Sequence, residues 1–474
     1  MKTVDMIVKT RHLFTMEGDG VGYLENTAMI IDRGRIIDFV PTDAAEDSYR
    51  AEEVLALFDH AVLPGLIDAH THVDICIARG LAQDTDNWMF YGLQPFENAM
   101  VQEDIDASVK LGIMEAIKAG TTTIGEFSIG IEPACKFINQ SGIRGNITET
   151  VRSLEERIYH PGELYEFNED KGKRSLENNI AMYDKWHDKD HGRIKILFGP
   201  QGADFMSREL LLQVREEAKK RNTKIHMHLQ QGTRETEQIM MRYGKRPVEW
   251  LKEIGYLDES LIGVHLADCT DEEAEFVAES GAGMIVCPGS IGIIDGIVCP
   301  SMAFQNAGGY VALGSDQAPG NNCHNVFNEM KLAALFNKIS KKDPEVMPAW
   351  KVLRMATIEG AKALGMDQEI GSLACGKKAD FIAVDLKKLT MQPIFTKPMR
   401  NIVPNLVYSA RGNEVILSVV DGKIIYKDQI LLNVDEEACL AEIESRIDCI
   451  SERAEKEFEE IAGTNYIFMQ EGKL

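Results

Sequence analysis

The sequence predicts an α/β protein: a (β/α)8 TIM barrel carrying a small β-sandwich domain formed from both chain ends. Three observations carry this expectation. Between Leu63 and about Leu364, apolar strand-like runs alternate with amphipathic helical stretches, the pattern of parallel strands joined by helical crossovers. Short alternating strands precede this region and return after it. The chain has 474 residues, 44% of them hydrophobic, enough to build a large core and an accessory domain beside it. A doubly wound open sheet is the alternative reading of the same repeats.

Residues 1 to about 60 read as strands, and in "NTAMIIDRGRIIDFV" two β-branched runs flank Arg33, Gly34 and Arg35 in a hairpin. In the central region "TTTIGEF" follows the helical "DIDASVKLGIMEAIKAG", and "RIKILFGPQ" precedes "SRELLLQVREEAKKR". The strands "KIHMHL", "LIGVHLAD", "GAGMIVCP" and "YVALGSD" come next. After "GSLACGKKADFIAVDL", strands return through "NEVILSVVDGKIIYKD", and "DEEACLAEIESRIDCISERAEKEFEEIAG" forms a terminal amphipathic helix. The expected divisions are therefore 1–60 with 366–432 as the discontinuous sandwich, 61–365 as the barrel, and 433–474 as a C-terminal helical segment. No low-complexity tract or repeat of solenoid period interrupts them.

Composition narrows the function. A formal net charge of −24 disfavours nucleic acid and anionic membrane as partners and leaves a small neutral or cationic molecule as the expected ligand. Nine cysteines without a CxxC pair argue for a reducing compartment, so the expected location is the cytoplasm. No apolar run approaches the length of a membrane span or an export signal. A homo-oligomer is expected.

The chemistry concentrates at strand ends. In "LPGLIDAHTHVD" a strand closes on His70 and His72, and alternate residues of a strand project to one side. "KIHMHLQQ" presents His226 and His228, "LIGVHLAD" presents His265, and "VALGSDQAP" ends at Asp316. In a parallel barrel all strand C-termini open on one face, so these side chains can converge. Taken singly, each has a plainer use, a histidine satisfying a carbonyl or an aspartate capping a helix. Together they point to a metal. Three imidazoles and a carboxylate suit a borderline divalent cation, on which bound water has its pKa lowered towards about 7.

The order "PGLIDAHTH", HxHL, a strand-end histidine, "LGSD", and then "MATIEGAKALGMDQEIGSLACGKKADFIAVDL" resembles the amidohydrolase superfamily over nearly the whole chain. Within it, the sequence is similar to the branch of metal-dependent deaminases and triazine hydrolases, which is chlorohydrolase-like. The resemblance implies one divalent metal, Zn²⁺ first and Fe²⁺ second, held by His70, His72, His228 and Asp316, with His265 as a catalytic residue. It points to His228 as the ligand of the HxH pair and leaves His226 behind it. Dinuclear relatives carry a bridging lysine after the fourth strand, where this chain has Gly199, Pro200 and Gln201. One ion is therefore expected.

One position departs from that pattern. The family's deaminases read HxxE where this chain reads His228, Leu229, Gln230, Gln231, and a glutamine amide can hold a ring nitrogen but cannot deliver a proton. Glu126 and Asp268 are the candidate replacement acids, and Gln231 and His265 the candidate substrate contacts. Trp88, with Phe90 and Tyr91, is the candidate apolar wall for a flat ring. The expected activity is hydrolytic removal of an amino group from a small nitrogen heterocycle by metal-bound hydroxide, with release of ammonia. Displacement of chloride or a substituted amine from a triazine-like ring is the second reading, and a catalytically impaired heterocycle-binding protein the third.

Overall fold

The computed structural model describes residues 1–474 except 86, 156, 158 and 161. Both chain ends meet in one sheet. Strands β1 (Lys2–Phe14), β2 (Tyr23–Asp32), β3 (Arg35–Pro41) and β4 (Tyr49–Pro64) open the chain. The β2–β3 hairpin turns at Arg33 and Gly34, both at positive φ, the conformation of a two-residue turn matched to strand twist.

Strand β4 leads into the barrel. Its strands are β5 (Leu66–His72), β6 (Thr121–Ser128), β7 (Arg144–Val151), β8 (Ile194–Pro200), β9 (Ile225–Leu229), β10 (Leu261–His265) and β11 (Gly283–Val286). The last stave is split into β12 (Val311–Leu313) and β13 (Asp316–Gln317). Consecutive strands pair in sequence order from β5 to β12, and β13 returns to β5 with Asp316 opposite Thr71. That pairing closes the ring. The split falls at Gly314, where a Cβ would stand 2.9 Å from both the Cβ and the carbonyl oxygen of His70, so only glycine lets the two strands approach there.

Strands β14 (Phe381–Asp385), β15 (Val415–Val420), β16 (Lys423–Lys427) and β17 (Ile430–Leu431) complete the first sheet, in the order β17-β16-β15-β14-β4-β1-β2-β3. Alternate residues from both chain ends, among them Met6, Val8, Ile31, Val62, Phe381 and Val419, share one buried cluster, so neither half has a complete core alone. The α/β barrel with a small sandwich from the two chain ends is thus the observed architecture.

Sandwich and barrel are joined by a buried charge cluster. Arg144, 1% exposed at the start of β7, places Nε 2.8 Å from Asp380 and Nη2 2.7 Å from Asp421. A helix at Glu436–Ile461 then crosses the outside of the barrel and packs against helix Gln102–Lys118. Among the described residues no helix is long and apolar enough to cross a membrane.

Candidate active site

Strand alternation and parallel closure bring the strand-end residues together. His70 and His72 end β5, His228 lies in β9, His265 ends β10 and Asp316 begins β13. Two sets of three, His70 with His72 and His228, and His70 with His265 and Asp316, have ligand atoms within 4.8 Å of one another. His70 belongs to both. Asp316 Oδ1 lies 3.4 Å from His72 Nε2 and 3.7 Å from His70 Nε2, while Oδ2 accepts a hydrogen bond from Ser290 at 2.6 Å. One carboxylate oxygen is therefore anchored and the other faces the histidines.

The outer nitrogens of the rings are held by the protein. His228 Nδ1 donates to the Gln201 carbonyl at 2.7 Å, which leaves Nε2 as its free lone pair. His70 Nδ1 lies 3.0 Å from His226 Nε2, and His226 Nδ1 lies 2.9 Å from the Thr148 hydroxyl. With His70 Nε2 turned to the site, its Nδ1 proton goes to His226 and the His226 proton to Thr148. His226 thus stands behind the site. His70 Nε2 and both ring nitrogens of His265 are buried without a partner, an arrangement that costs free energy unless another group meets them.

Burial keeps these rings neutral. It drives His70 and His228 well below the usual histidine range, and the neighbouring imidazoles push in the same direction. His265 is lowered to about 4 and His226 to about 3, again by burial first. Neutral imidazoles and one carboxylate oxygen, converging with unsatisfied lone pairs, fit a divalent borderline cation. The backbone is bent to achieve this: φ is +77° at His265 and +60° at Asp316, left-handed values uncommon outside glycine and concentrated at functional sites.

A cavity of about 360 Å³ opens above the cluster, within the usual range for small-ligand sites. His72, His228 and Asp316 line its floor, Phe127, Trp88 and Leu93 its apolar wall, and Gln231 its rim. Phe127 packs its ring 4.6 Å from that of His228 and 5.8 Å from that of His72. Trp88 stands just before Met89–Leu93, a single π-helical turn, a rare form found mostly at functional sites. Asp74, Glu97, Arg152 and Arg234 add charge to the lining, and none of these was singled out from sequence.

Five residues expected at the cavity lie off its lining. Glu126 does not line the cavity: its Oε2 accepts from the Thr71 hydroxyl at 2.8 Å and the Val73 amide at 3.0 Å, and Ser128 donates to Oε1. Thr71 alternates away from His70 and His72, so Glu126 shares the outer side of the barrel wall. Burial, reinforced by Asp74, raises its carboxyl to about 8. Asp268 accepts from the Thr236 hydroxyl at 2.5 Å and lies 3.7 Å from Arg246, outside the cavity lining. Phe90 and Tyr91 pack edge to face, with ring centroids 5.1 Å apart, and leave Trp88 as the aromatic of that loop on the cavity. His265 is near the cluster but beneath the lining, its ring 5.5 Å from those of His70 and His228.

Comparison with known proteins agrees with this geometry. The model of the amidohydrolase family matches residues 61–425. The chain belongs to the amidohydrolase family. It is 32% identical over 440 residues to a 5'-deoxyadenosine deaminase of Methanosarcina barkeri, covering 91% of this chain and 95% of that one. It is also 32% identical over 445 residues to a 5-methylthioadenosine/S-adenosylhomocysteine deaminase of Thermoanaerobacter pseudethanolicus, covering 94% and 98%. The crystal structure of a zinc-bound adenosine deaminase from Xanthomonas campestris superposes with a TM-score of 0.86 at 26% identity, over 95% of this chain and 99% of that one. An atrazine chlorohydrolase from Arthrobacter aurescens, at 19% identity and a TM-score of 0.82 over 94% and 100%, shares the fold. This amidohydrolase is a hydrolase acting on carbon–nitrogen bonds of cyclic amidines, as the sequence led us to expect.

Proposed function

We propose that this amidohydrolase removes the amino group from the adenine ring of a 5'-substituted adenosine, using one zinc ion held by His70, His72, His228 and Asp316. The observation that carries the reading is the convergence of two histidine-containing donor sets on His70 at the floor of an aromatic-walled cavity. The deaminase names of relatives aligned over nearly the full chain supply the ring. A divalent ion at this position would polarise a water towards hydroxide at neutral pH and act as a Lewis acid.

The chain's own groups divide the remaining work. Asp316 Oδ1, the oxygen not anchored by Ser290, takes the proton from the attacking water. His265, neutral and with both nitrogens unpartnered, hydrogen-bonds the attacking oxygen and orients it on the ring carbon, and the proton taken by Asp316 passes to the departing amino group, which leaves as ammonia. Phe127 and Trp88 flank the ring and exclude water from one side. Gln231 holds a ring nitrogen through its amide N–H without transferring a proton. Unpaired cysteines throughout the chain fit a reducing compartment, so we place the enzyme in the cytoplasm, as a homo-oligomer whose mass light scattering would measure.

Gln231 also supports a second reading, displacement of a leaving group that departs without ring protonation. Ammonia release from 5'-deoxyadenosine and a panel of purines, pterins, pyrimidines and aminotriazines, run beside chloride release from chlorotriazines, separates the two. Ammonia from an adenine nucleoside is expected. Chloride alone would replace deamination with the second reading, and binding without any product would leave a non-catalytic protein.

Three variants test the assigned roles. His265→Asn is expected to keep its metal and lose roughly 10²-fold in kcat, the scale of one oxyanion or acid–base contact; loss of metal would instead make His265 a ligand. Gln231→Glu is expected to add an acid limb to the pH–rate profile and to speed substrates that need ring protonation, whereas Gln231→Ala should mainly raise KM, by about tenfold for one lost hydrogen bond. If Gln231→Glu abolishes the native reaction, the amide is needed as a donor and the leaving-group reading gains.

A further inference from the structure

The cavity wall formed by Trp88, Met89, Leu93 and Glu97 has a second side. The C-terminal helix Glu436–Ile461 and the short helix Thr464–Gln470 lie against it. Phe458 packs on Phe96 with ring centroids 5.5 Å apart. Asn98 donates to Glu457 at 2.9 Å, and Asn465 donates to the Gln83 carbonyl at 2.9 Å. Gly463 lies so close to Tyr91 that a Cβ there would stand 3.0 Å from the tyrosine Cβ.

The strongest tie is ionic. Asp104 is fully buried, at the third position of helix Gln102–Lys118, and its Oδ2 accepts from the Val101 amide at 2.9 Å. Arg446 reaches Oδ1 at 2.6 Å, and Arg453 pairs with Oδ2. Arg453 also donates from Nε to the Ala99 carbonyl at 2.7 Å. Ala99 ends the helix Gln94–Ala99 that carries Glu97. One guanidinium therefore pins the end of the cavity helix to a buried carboxylate on the next helix. Its planar fork can do both at once, which a lysine cannot.

The inner face of residues 88–100 touches the cavity and the outer face touches the chain's last forty residues. A wall of one π-turn and one short helix, with its apolar residues divided between two sides, has little local stability of its own. We propose that the C-terminal helix, through Arg453 and Phe458, is a positioning element of the substrate cavity that fixes Trp88 and Glu97 in their substrate-facing arrangement. The proposal rests on the reading that this cavity receives the substrate, and it adds that substrate affinity depends on residues far outside the barrel. Arg453 and Phe458 touch neither the cavity nor the histidine cluster, so they act on binding geometry and leave the chemistry at the metal site alone.

The test compares full-length Arg453→Ala and Phe458→Ala with Lys118→Ala, which breaks an ion pair to Glu436 at the other end of the same helix. Amide hydrogen exchange of peptides covering 88–100, bound metal, and KM and kcat for 5'-deoxyadenosine are measured for each. Both Arg453→Ala and Phe458→Ala should exchange the 88–100 amides at least about tenfold faster than wild type, with barrel strands and metal content unchanged. KM should rise by about tenfold with kcat within twofold, and Lys118→Ala should match wild type in all respects. Phe458→Ala leaves the buried Asp104 paired, so it stays informative should Arg453→Ala fail to fold. Wild-type exchange at 88–100 in the folded variants, or faster exchange spread over the whole chain with KM unmoved, overturns the proposal. If wild-type enzyme does not deaminate 5'-deoxyadenosine, the substrate reading fails while the exchange result still decides the positioning role.

Discussion

His70→Ala is expected to lose both metal and turnover. Its imidazole is the one member common to both three-residue donor sets, and its Nε2 has no protein partner to compensate. Metal content measured by elemental analysis should fall well below one equivalent per chain, and ammonia release should vanish with it. His72→Ala, His228→Ala and Asp316→Ala should behave alike. His226→Ala should be milder, costing about 10- to 100-fold in metal affinity, because it removes only the ring that orients His70. A fully loaded and active His228→Ala enzyme would move the ligand assignment to His226.

The second large effect concerns stability. Arg144→Ala is expected to destabilise the protein by about 3–5 kcal/mol, because it leaves the Asp380 carboxylate buried without its cation. Asp380 is 4% exposed, and its carboxylate also accepts from the backbone amide of Asp421 at 2.8 Å. Asp421 suffers less, since Lys378 remains 3.1 Å away. Urea unfolding followed by circular dichroism measures the loss. Replacing both partners, as Arg144→Met with Asp380→Leu, should recover much of it, since an apolar pair carries no desolvation cost. A loss under about 1 kcal/mol for Arg144→Ala would show that water reaches the cluster.

Much of this protein could be read before its structure was known, and the reasons are physical. Repeated strand–helix alternation dictates parallel strands, and parallel closure dictates that strand ends share a face, so His70, His72, His226, His228, His265 and Asp316 could be grouped from their places at strand ends, while the resemblance to the family picked His228 from the HxH pair. The hairpin at Arg33 and Gly34 was equally legible from its turn residues. What the pattern could not supply was the pairing register of the strands and the path of the chain at their ends. Glu126 and Phe127 are neighbours in one strand, yet Phe127 packs on the histidines and Glu126 turns to Thr71. The register of β6 against β5 shifts between Asp68 and Thr71, and no sequence pattern announces that irregularity. Asp268 follows a left-handed turn at His265 and Leu266, which carries it to Thr236. Glu97 and Arg152 reach the cavity from a short helix and the end of β7, where alternation gives no guide.

The sandwich shared by the two chain ends has a consequence during synthesis. Strand β4 completes its pairing only when β14 arrives, with Phe381 set against Pro64, and about 300 residues of barrel must be translated between them. At about 5–20 residues per second that wait lasts roughly 15–60 seconds. Throughout it the nascent chain presents an open strand edge over 60–64, and Arg144, once made, still lacks Asp380. Exposed edges of this kind recruit other chains, so ribosome-bound or truncated products ending before residue 381 are the form of this protein most prone to aggregate. Release of the finished chain removes the hazard by closing the sheet.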